Sequence, residues 1–266
     1  MKGMVRFVGA GPGDPDLITV RGLRALQEAD VICYDALGVA PELLEGLRAE
    51  LIYVGKRCGR HSRSQEEINA LLVELAQRGL EVVRLKGGDP GVLGRVGEEA
   101  LALAAEGIPF EIVPGVSSAT SAPLSAGIPL THRGVADSFA LATAHRRKGE
   151  EGFSIPPYNE RTTVVLLMPV RTARAWQAAL LRRGYPRELP VAFVSRGATP
   201  AQRVLVSTVG AAAADAEAAR ITAPTLVVIG RVVGLRGRGL RWWNDRDARE
   251  CAEEPTRVDV LAEARA

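Results

Sequence analysis

Four stretches of this sequence set glycines beside polar or charged residues, each just after a short apolar run. The longest is Arg84-Leu85-Lys86-Gly87-Gly88-Asp89-Pro90, which continues through Gly91, Val92, Leu93, Gly94 and Arg95 to the acidic pair Glu98 and Glu99. The others are Gly9-Ala10-Gly11-Pro12-Gly13-Asp14, Gly55-Lys56-Arg57 and Pro114-Gly115-Val116-Ser117-Ser118. Adjacent glycines tolerate positive φ and let a ligand approach the backbone, while Pro90 holds Asp89 extended. Glycine turns at the C-terminal ends of parallel strands are where open α/β sheets bind small molecules. The chemistry implied is a nucleoside held by backbone. The dinucleotide fingerprint fails because Asp14 stands where its third glycine belongs. Pro12 and Pro15 also keep that loop from opening a phosphate-cradling helix. An NAD site is therefore not expected. Asp35 ends a further apolar run, and an acid there is either a site residue or a helix cap.

The elements that must position these loops alternate. Apolar runs at Met4–Val8, Ala29–Tyr34, Leu51–Val54, Val82–Leu85 and Pro109–Val113 read as strands. Between them, Thr19 caps a helix with Val20, Leu23 and Leu26 on one face, and Pro41–Leu47 is a short helix. Ser64-Gln65-Glu66-Glu67 has capping-box form ahead of Ile68, Leu71, Leu72 and Leu75. Leu101–Ala105 continues a further helix. This alternation predicts a parallel sheet with its loops on one edge.

After a linker-like stretch, Ile128–Gly134, the texture changes. Strands are predicted at Ser138–Thr143, Thr162–Met168, Val191–Val194, Val204–Ser207 and Pro224–Gly230, with helices at Thr172–Arg182 and Ala211–Ala219. Adjacent strands with short connections predict a second, mixed sheet. The expected organisation is an N-terminal α/β domain over 1–133, a C-terminal α/β domain over 134–244 and a charged tail over 245–266.

The chain has 266 residues, 47% hydrophobic and 24% charged, with a net charge of +3. That balance suits a globular enzyme and argues against nucleic acid as a partner. Cys33, Cys58 and Cys251 form neither a disulfide framework nor a metal spacing, and His132 and His145 stand singly, so no metal site is expected. With no signal-peptide pattern and no apolar run long enough to span a bilayer, a cytoplasmic protein without membrane contact is expected.

In order and spacing, the glycine motifs together with Tyr34-Asp35, Val54-Gly55-Lys56-Arg57, Val113-Pro114-Gly115 and Gly127-Ile128-Pro129-Leu130-Thr131-His132-Arg133-Gly134 resemble the tetrapyrrole methylase family, from about Met4 to Trp243. The resemblance implies two α/β domains with the active cleft between them, usually in a homodimer. It implies S-adenosylmethionine as cofactor, leaving S-adenosylhomocysteine. Gly127–Gly134, Val54–Arg57 and Gln65-Glu66-Glu67-Ile68-Asn69 point to members that methylate uroporphyrinogen III at C-2 and C-7, giving precorrin-2 for sirohaem and cobalamin. By the same resemblance Asp35 is the proton acceptor and Lys56 the donor. Pro12, Gly87, Gly88, Asp89, Val92, Ser117, Ser118, Met168 and Gly197 match the cofactor contacts. The substrate has eight carboxylates, so Arg57, Arg84, Arg95 and Arg133 are its candidate partners. The chain departs from the family pattern at Ala36, Gly91, Leu93, Val96 and Ala144. The alternatives are a methyltransferase acting on a later precorrin and a non-catalytic tetrapyrrole- or S-adenosylmethionine-binding protein.

Overall fold

The computed structural model of the chain describes residues 2–35, 38–55, 63–145, 152–240 and 242. It divides into two compact units, the first ending at Ser118 and the second beginning at Ala119.

The first unit is built on strands β1 (Val5–Gly9), β2 (Val31–Tyr34), β3 (Glu50–Tyr53), β4 (Val82–Lys86) and β5 (Phe110–Val113). All pair parallel, in the order β3-β2-β4-β1-β5. Helices α1 (Val20–Glu28), α2 (Gln65–Gln77) and α3 (Val96–Ala105) connect them. One face of the sheet buries Val5, Phe7, Val31, Cys33 and Val82 with Ile68, Leu72 and Leu75 of α2 and Ala100 and Leu103 of α3. The other buries Val8, Ile32, Val83 and Leu85 with Ala25 and Leu26 of α1. Strands covered on both faces read as nearly continuous apolar runs, and central β4 breaks that rule with Arg84 and Lys86. The expected caps form: Thr19 Oγ1 accepts from the Gly22 amide, and Ser64 and Glu67 make a reciprocal capping box. The short helix expected at Pro41–Leu47 is a 3₁₀ turn over Pro41–Leu44.

Burial also settles the chemistry of Cys33. It pushes the thiol up to about 11, against the opposing pull of Arg84. Iodoacetamide at pH 8 is expected to leave Cys33 unmodified in the folded protein and to label it in denaturant, read by peptide mass spectrometry. Fast labelling without denaturant would contradict this burial.

The second unit begins within α4 (Ser118–Ser125), which the sequence pattern did not mark. Its Ser, Thr and Pro content gives weak helix propensity. Packing supplies what propensity lacks, because Ala119, Ala122 and Ala126 are buried with Ile128, Val165, Val194 and Val228. Strands β6 (Ser138–Thr143), β7 (Thr162–Leu167), β8 (Pro190–Ser195), β9 (Arg203–Thr208) and β10 (Thr225–Ile229) form a sheet of order β6-β7-β10-β8-β9. It is mixed, as the pattern predicts: β6 and β7 are parallel and the other pairs antiparallel. Helices α5 (Ala173–Arg182) and α6 (Ala212–Ala218) cover its other face, around Trp176 and Phe193. No helix among the described residues is long and apolar enough to cross a membrane.

Candidate active site

In the first unit, three of the glycine turns meet at the C-terminal edge of the sheet. Gly11 and Gly88 pair through their backbones, with N–H to O distances of 3.3 and 2.6 Å. A Cβ on Gly9 would lie 2.6 Å from the Gly88 carbonyl oxygen and 2.6 Å from the Gly115 Cα. The ends of β1, β4 and β5 are thus in backbone contact that no side chain could enter. Asp89 holds the same junction: its Oδ1 accepts from the Gly91 amide at 2.7 Å and its Oδ2 from the Gly115 amide at 2.9 Å. Both oxygens of this expected cofactor residue brace loops. Pro12 and Gly88 are buried, while Gly87, Val92, Ser117 and Ser118 are half-buried.

The donor chemistry of this edge fits a nucleoside cofactor without phosphate. Asp14 Oδ1 accepts the Asp16 amide at 2.9 Å at the start of the Pro15–Leu17 turn, where an anion would otherwise be drawn. The cofactor has no phosphate to cradle, and neutral backbone suffices for it.

The second unit carries the other two expected cofactor positions. Both β7 and β8 run antiparallel to β10, so Met168 and the Arg196-Gly197-Ala198 turn follow strands ending on one edge of the sheet. A Cβ on Gly197 would overlap Ala122 of α4. Buried Ser125 and Gln202 clamp this turn, since the Ala198 amide donates to Ser125 Oγ and to Gln202 Oε1, at 3.2 and 2.9 Å. Among the described residues, the non-glycine positions with positive φ are Leu93, Arg95, Met168, Arg196, Ala198 and Arg220. All but Arg220 sit in loops singled out for binding. The left-handed region costs about 1–2 kcal/mol per residue, a strain that collects at functional sites.

Asp35 follows β2 on the sheet face shared by α2 and α3. Its Oδ2 accepts from Arg84 Nη2 at 3.1 Å, and its side chain is 28% exposed. It is therefore engaged by a strand cation. Arg84 is buried and spends its whole guanidinium inside: Nε donates to Glu99 Oε1 at 3.2 Å, and Nη1 to the Cys33 and Leu85 carbonyls at 3.4 and 3.0 Å. This corrects its expected place as an open fork for substrate carboxylates. Lys86 donates to Glu99 Oε2 at 2.8 Å. Burial and then the Arg84 charge push the Lys86 ammonium below its ordinary value, with Glu99 opposing. Glu99 is fully buried and also accepts from Gln65 Nε2 at 3.2 Å. The sequence signal for it lay in Arg84 and Lys86, two charges at alternate positions of an apolar strand, which demand a buried acid. Helical phase selects Glu99 rather than Glu98.

Of the remaining arginines, Arg95 grips exposed Glu98 through two bonds of 2.8 and 2.6 Å. Arg133 is exposed in the turn closed by His132 and Ala136. Lys56 and Arg57 lie outside the described residues, as do Ala36, Cys58 and the tail over 245–266. Among the described residues, no three His, Cys, Asp or Glu side chains cluster as a metal site would need.

Comparison with known proteins places the chain. Residues 4–213 match the family described as Tetrapyrrole (Corrin/Porphyrin) Methylases. A uroporphyrinogen-III C-methyltransferase of Methanocaldococcus jannaschii is 46% identical over 239 residues, covering 88% of this chain and 98% of that protein. A siroheme synthase of Azotobacter vinelandii is 47% identical over 251 residues, covering 92% of this chain but 53% of that protein. The chain spans about half the length of the siroheme synthases it matches. Among solved structures, a uroporphyrin-III C-methyl transferase of Thermus thermophilus complexed with S-adenyl homocysteine superposes with a TM-score of 0.74 at 40% identity, covering 87% of this chain and 93% of that one. On this match, and with the glycine edge of the first unit beside an acid at the neighbouring strand end, the chain belongs to the tetrapyrrole methylases.

Proposed function

We propose that this protein is an S-adenosylmethionine-dependent methyltransferase that methylates uroporphyrinogen III at C-2 and C-7, giving precorrin-2 for sirohaem and cobalamin biosynthesis. The observation that carries this reading is the phosphate-free glycine edge beside the half-buried Asp35, in a chain 46% identical to a uroporphyrinogen-III C-methyltransferase. Bound S-adenosylmethionine supplies an electrophilic methyl group on a positively charged sulfur. The chain has to supply alignment and proton transfer. Holding the pyrrole carbon and methyl about 3–3.5 Å apart, in line, accounts for much of the rate.

In this reading Pro12, Gly87, Gly88, Val92, Ser117, Ser118, Met168 and Gly197 contact the cofactor, and Asp89 holds the loops that shape its pocket. Each transfer releases one proton, which Asp35 receives from the methylated ring, and Lys56, the donor of the pair, gives one up to solvent so that the pair is reset. Arg57, Arg95 and Arg133 meet substrate carboxylates, for which Arg95 would exchange its exposed Glu98 partner. An exposed ion pair of that kind is worth about 0–1 kcal/mol, so the exchange is cheap. The protein acts in the cytoplasm as a homodimer.

The test is anaerobic incubation of the purified protein with S-adenosylmethionine and uroporphyrinogen III, followed by mass spectrometry. The expected product carries two added methyl groups. The exposed Gly91 and Leu93, where the family has phenylalanines, bear on the alternative of a later precorrin. Cofactor binding without methylation of uroporphyrinogen III, together with methylation of a later precorrin, would replace the substrate assignment.

A further inference from the structure

Two cations and two acids share the α2/α3 face of the first sheet, and only one of the four is appreciably exposed. Arg84, Lys86 and Glu99 have side-chain exposures of 5%, 7% and 0%, against 28% for Asp35. Glu99 has no route to solvent, and each of its oxygens is committed. Oε2 takes Lys86 at 2.8 Å, and Oε1 takes the Nε edge of Arg84 and the Gln65 amide, each at 3.2 Å. Two carbonyls hold Nη1. What is left over is Nη2, and it points at Asp35.

We propose that Glu99 is a positioning residue for methyl transfer. By absorbing Lys86 and the Nε edge of Arg84, it fixes the guanidinium so that a single nitrogen meets Oδ2 of Asp35, and it keeps Lys86 and a second Arg84 nitrogen from closing on that carboxylate. The claim rests on the proposed role of Asp35 as proton acceptor. Glu99 touches no reacting atom in this scheme. It acts through Arg84, whose rigid fork transmits position in a way a flexible ammonium does not. An alternative device with no function would be a purely structural charge cluster, and such clusters can often be exchanged for apolar side chains without loss of stability.

That exchangeability supplies the test. The variant Lys86→Met/Glu99→Met removes one cation and one acid together, so charge balance and stem volume persist while Arg84 loses its anchor. Its melting temperature and its binding of S-adenosylhomocysteine by calorimetry are expected to stay near those of the unmodified protein. Its kcat is expected to fall about 10–100-fold, the scale of a misplaced catalytic group, with KM little changed. In its crystal structure Arg84 should no longer meet Asp35 through Nη2 alone at 3.1 Å, the fork either closing on the carboxylate with a second nitrogen or turning away from it. In Lys86→Met/Glu99→Gln the amide oxygen can still accept from Nε, and most of kcat should return.

A Met/Met variant that retains the full kcat, or a crystal structure with Arg84 unmoved against Asp35, overturns the proposal. Should that variant not fold, Glu99→Asp decides: it keeps the charge but retracts the carboxylate by one methylene. A lowered kcat at unchanged KM supports positioning, and an unchanged kcat refutes it. Absence of uroporphyrinogen methylation by the unmodified protein would count against the functional reading alone, because the position of Arg84 in the variant crystal still decides the role of Glu99.

Discussion

Asp35→Asn is expected to leave S-adenosylhomocysteine binding intact and to lower kcat for uroporphyrinogen methylation by about 10²–10⁴, the usual contribution of a positioned general base. The substitution preserves shape and a hydrogen-bond acceptor for Arg84 Nη2, now 3.1 Å from Oδ2, but removes the capacity to take a proton. The competing account treats Asp35 and Arg84 as an ion pair that only ties two strand ends together. It predicts a lower melting temperature and, in the protein that remains folded, a kcat within a few-fold of normal. Steady-state kinetics alongside a thermal melt separate the two, and an unimpaired kcat would end the assignment of Asp35 as proton acceptor.

Gly115→Ala should act through structure. The added Cβ would fall well inside contact distance of the Gly88 carbonyl oxygen and 2.7 Å from the Gly9 Cα, both backbone atoms of a sheet edge that is itself hydrogen-bonded. Flexible side chains can give way to such a clash, but three interlocked strand ends cannot. The cost should reach the upper end of overpacking, about 3 kcal/mol, which corresponds to roughly 6–12 °C in melting temperature. Cofactor affinity should fall with it, because the Gly88 and Ser117–Ser118 loops must separate to admit the methyl group. Gly97→Ala is the control. It lies in α3 with open space around its Cβ and should stabilise the protein by about 0.4–1 kcal/mol. Equal losses from the two substitutions in calorimetry would show that glycine content, rather than loop contact, governs stability here.

Local pattern was enough for much of this protein. Strand–helix alternation through Val113, with a glycine turn after each of several strands, called for a parallel sheet carrying its loops on one edge. The Ser64 capping box and the i, i+3, i+4, i+7 spacing of Ile68, Leu71, Leu72 and Leu75 defined α2. Closely spaced strands after Gly134 called for a mixed second sheet. These features depend on neighbours within a few residues, and such information is written in the chain itself.

Other features depended on which distant residues come together. Ser118–Ser125 is helical because its alanines pack on the second sheet, although its own composition argues weakly for a helix. Arg84 looked from its position like a fork for substrate carboxylates. Strand alternation instead turns it to the α3 side, where Glu99, distant in sequence, neutralises it. The glycines at 9, 88 and 115 each suggest a ligand-facing turn, and only the register across β1, β4 and β5 reveals that Gly9 and Gly115 are needed against each other and against the Gly88 carbonyl, whereas Gly88 itself answers to its φ of +69°. Residue types and spacing determined that this chain builds a glycine-edged α/β sheet suited to a nucleoside without phosphate. Tertiary packing decided which charges are spent inside the protein and which one meets Asp35, because a buried charge must find its partner wherever the fold brings one.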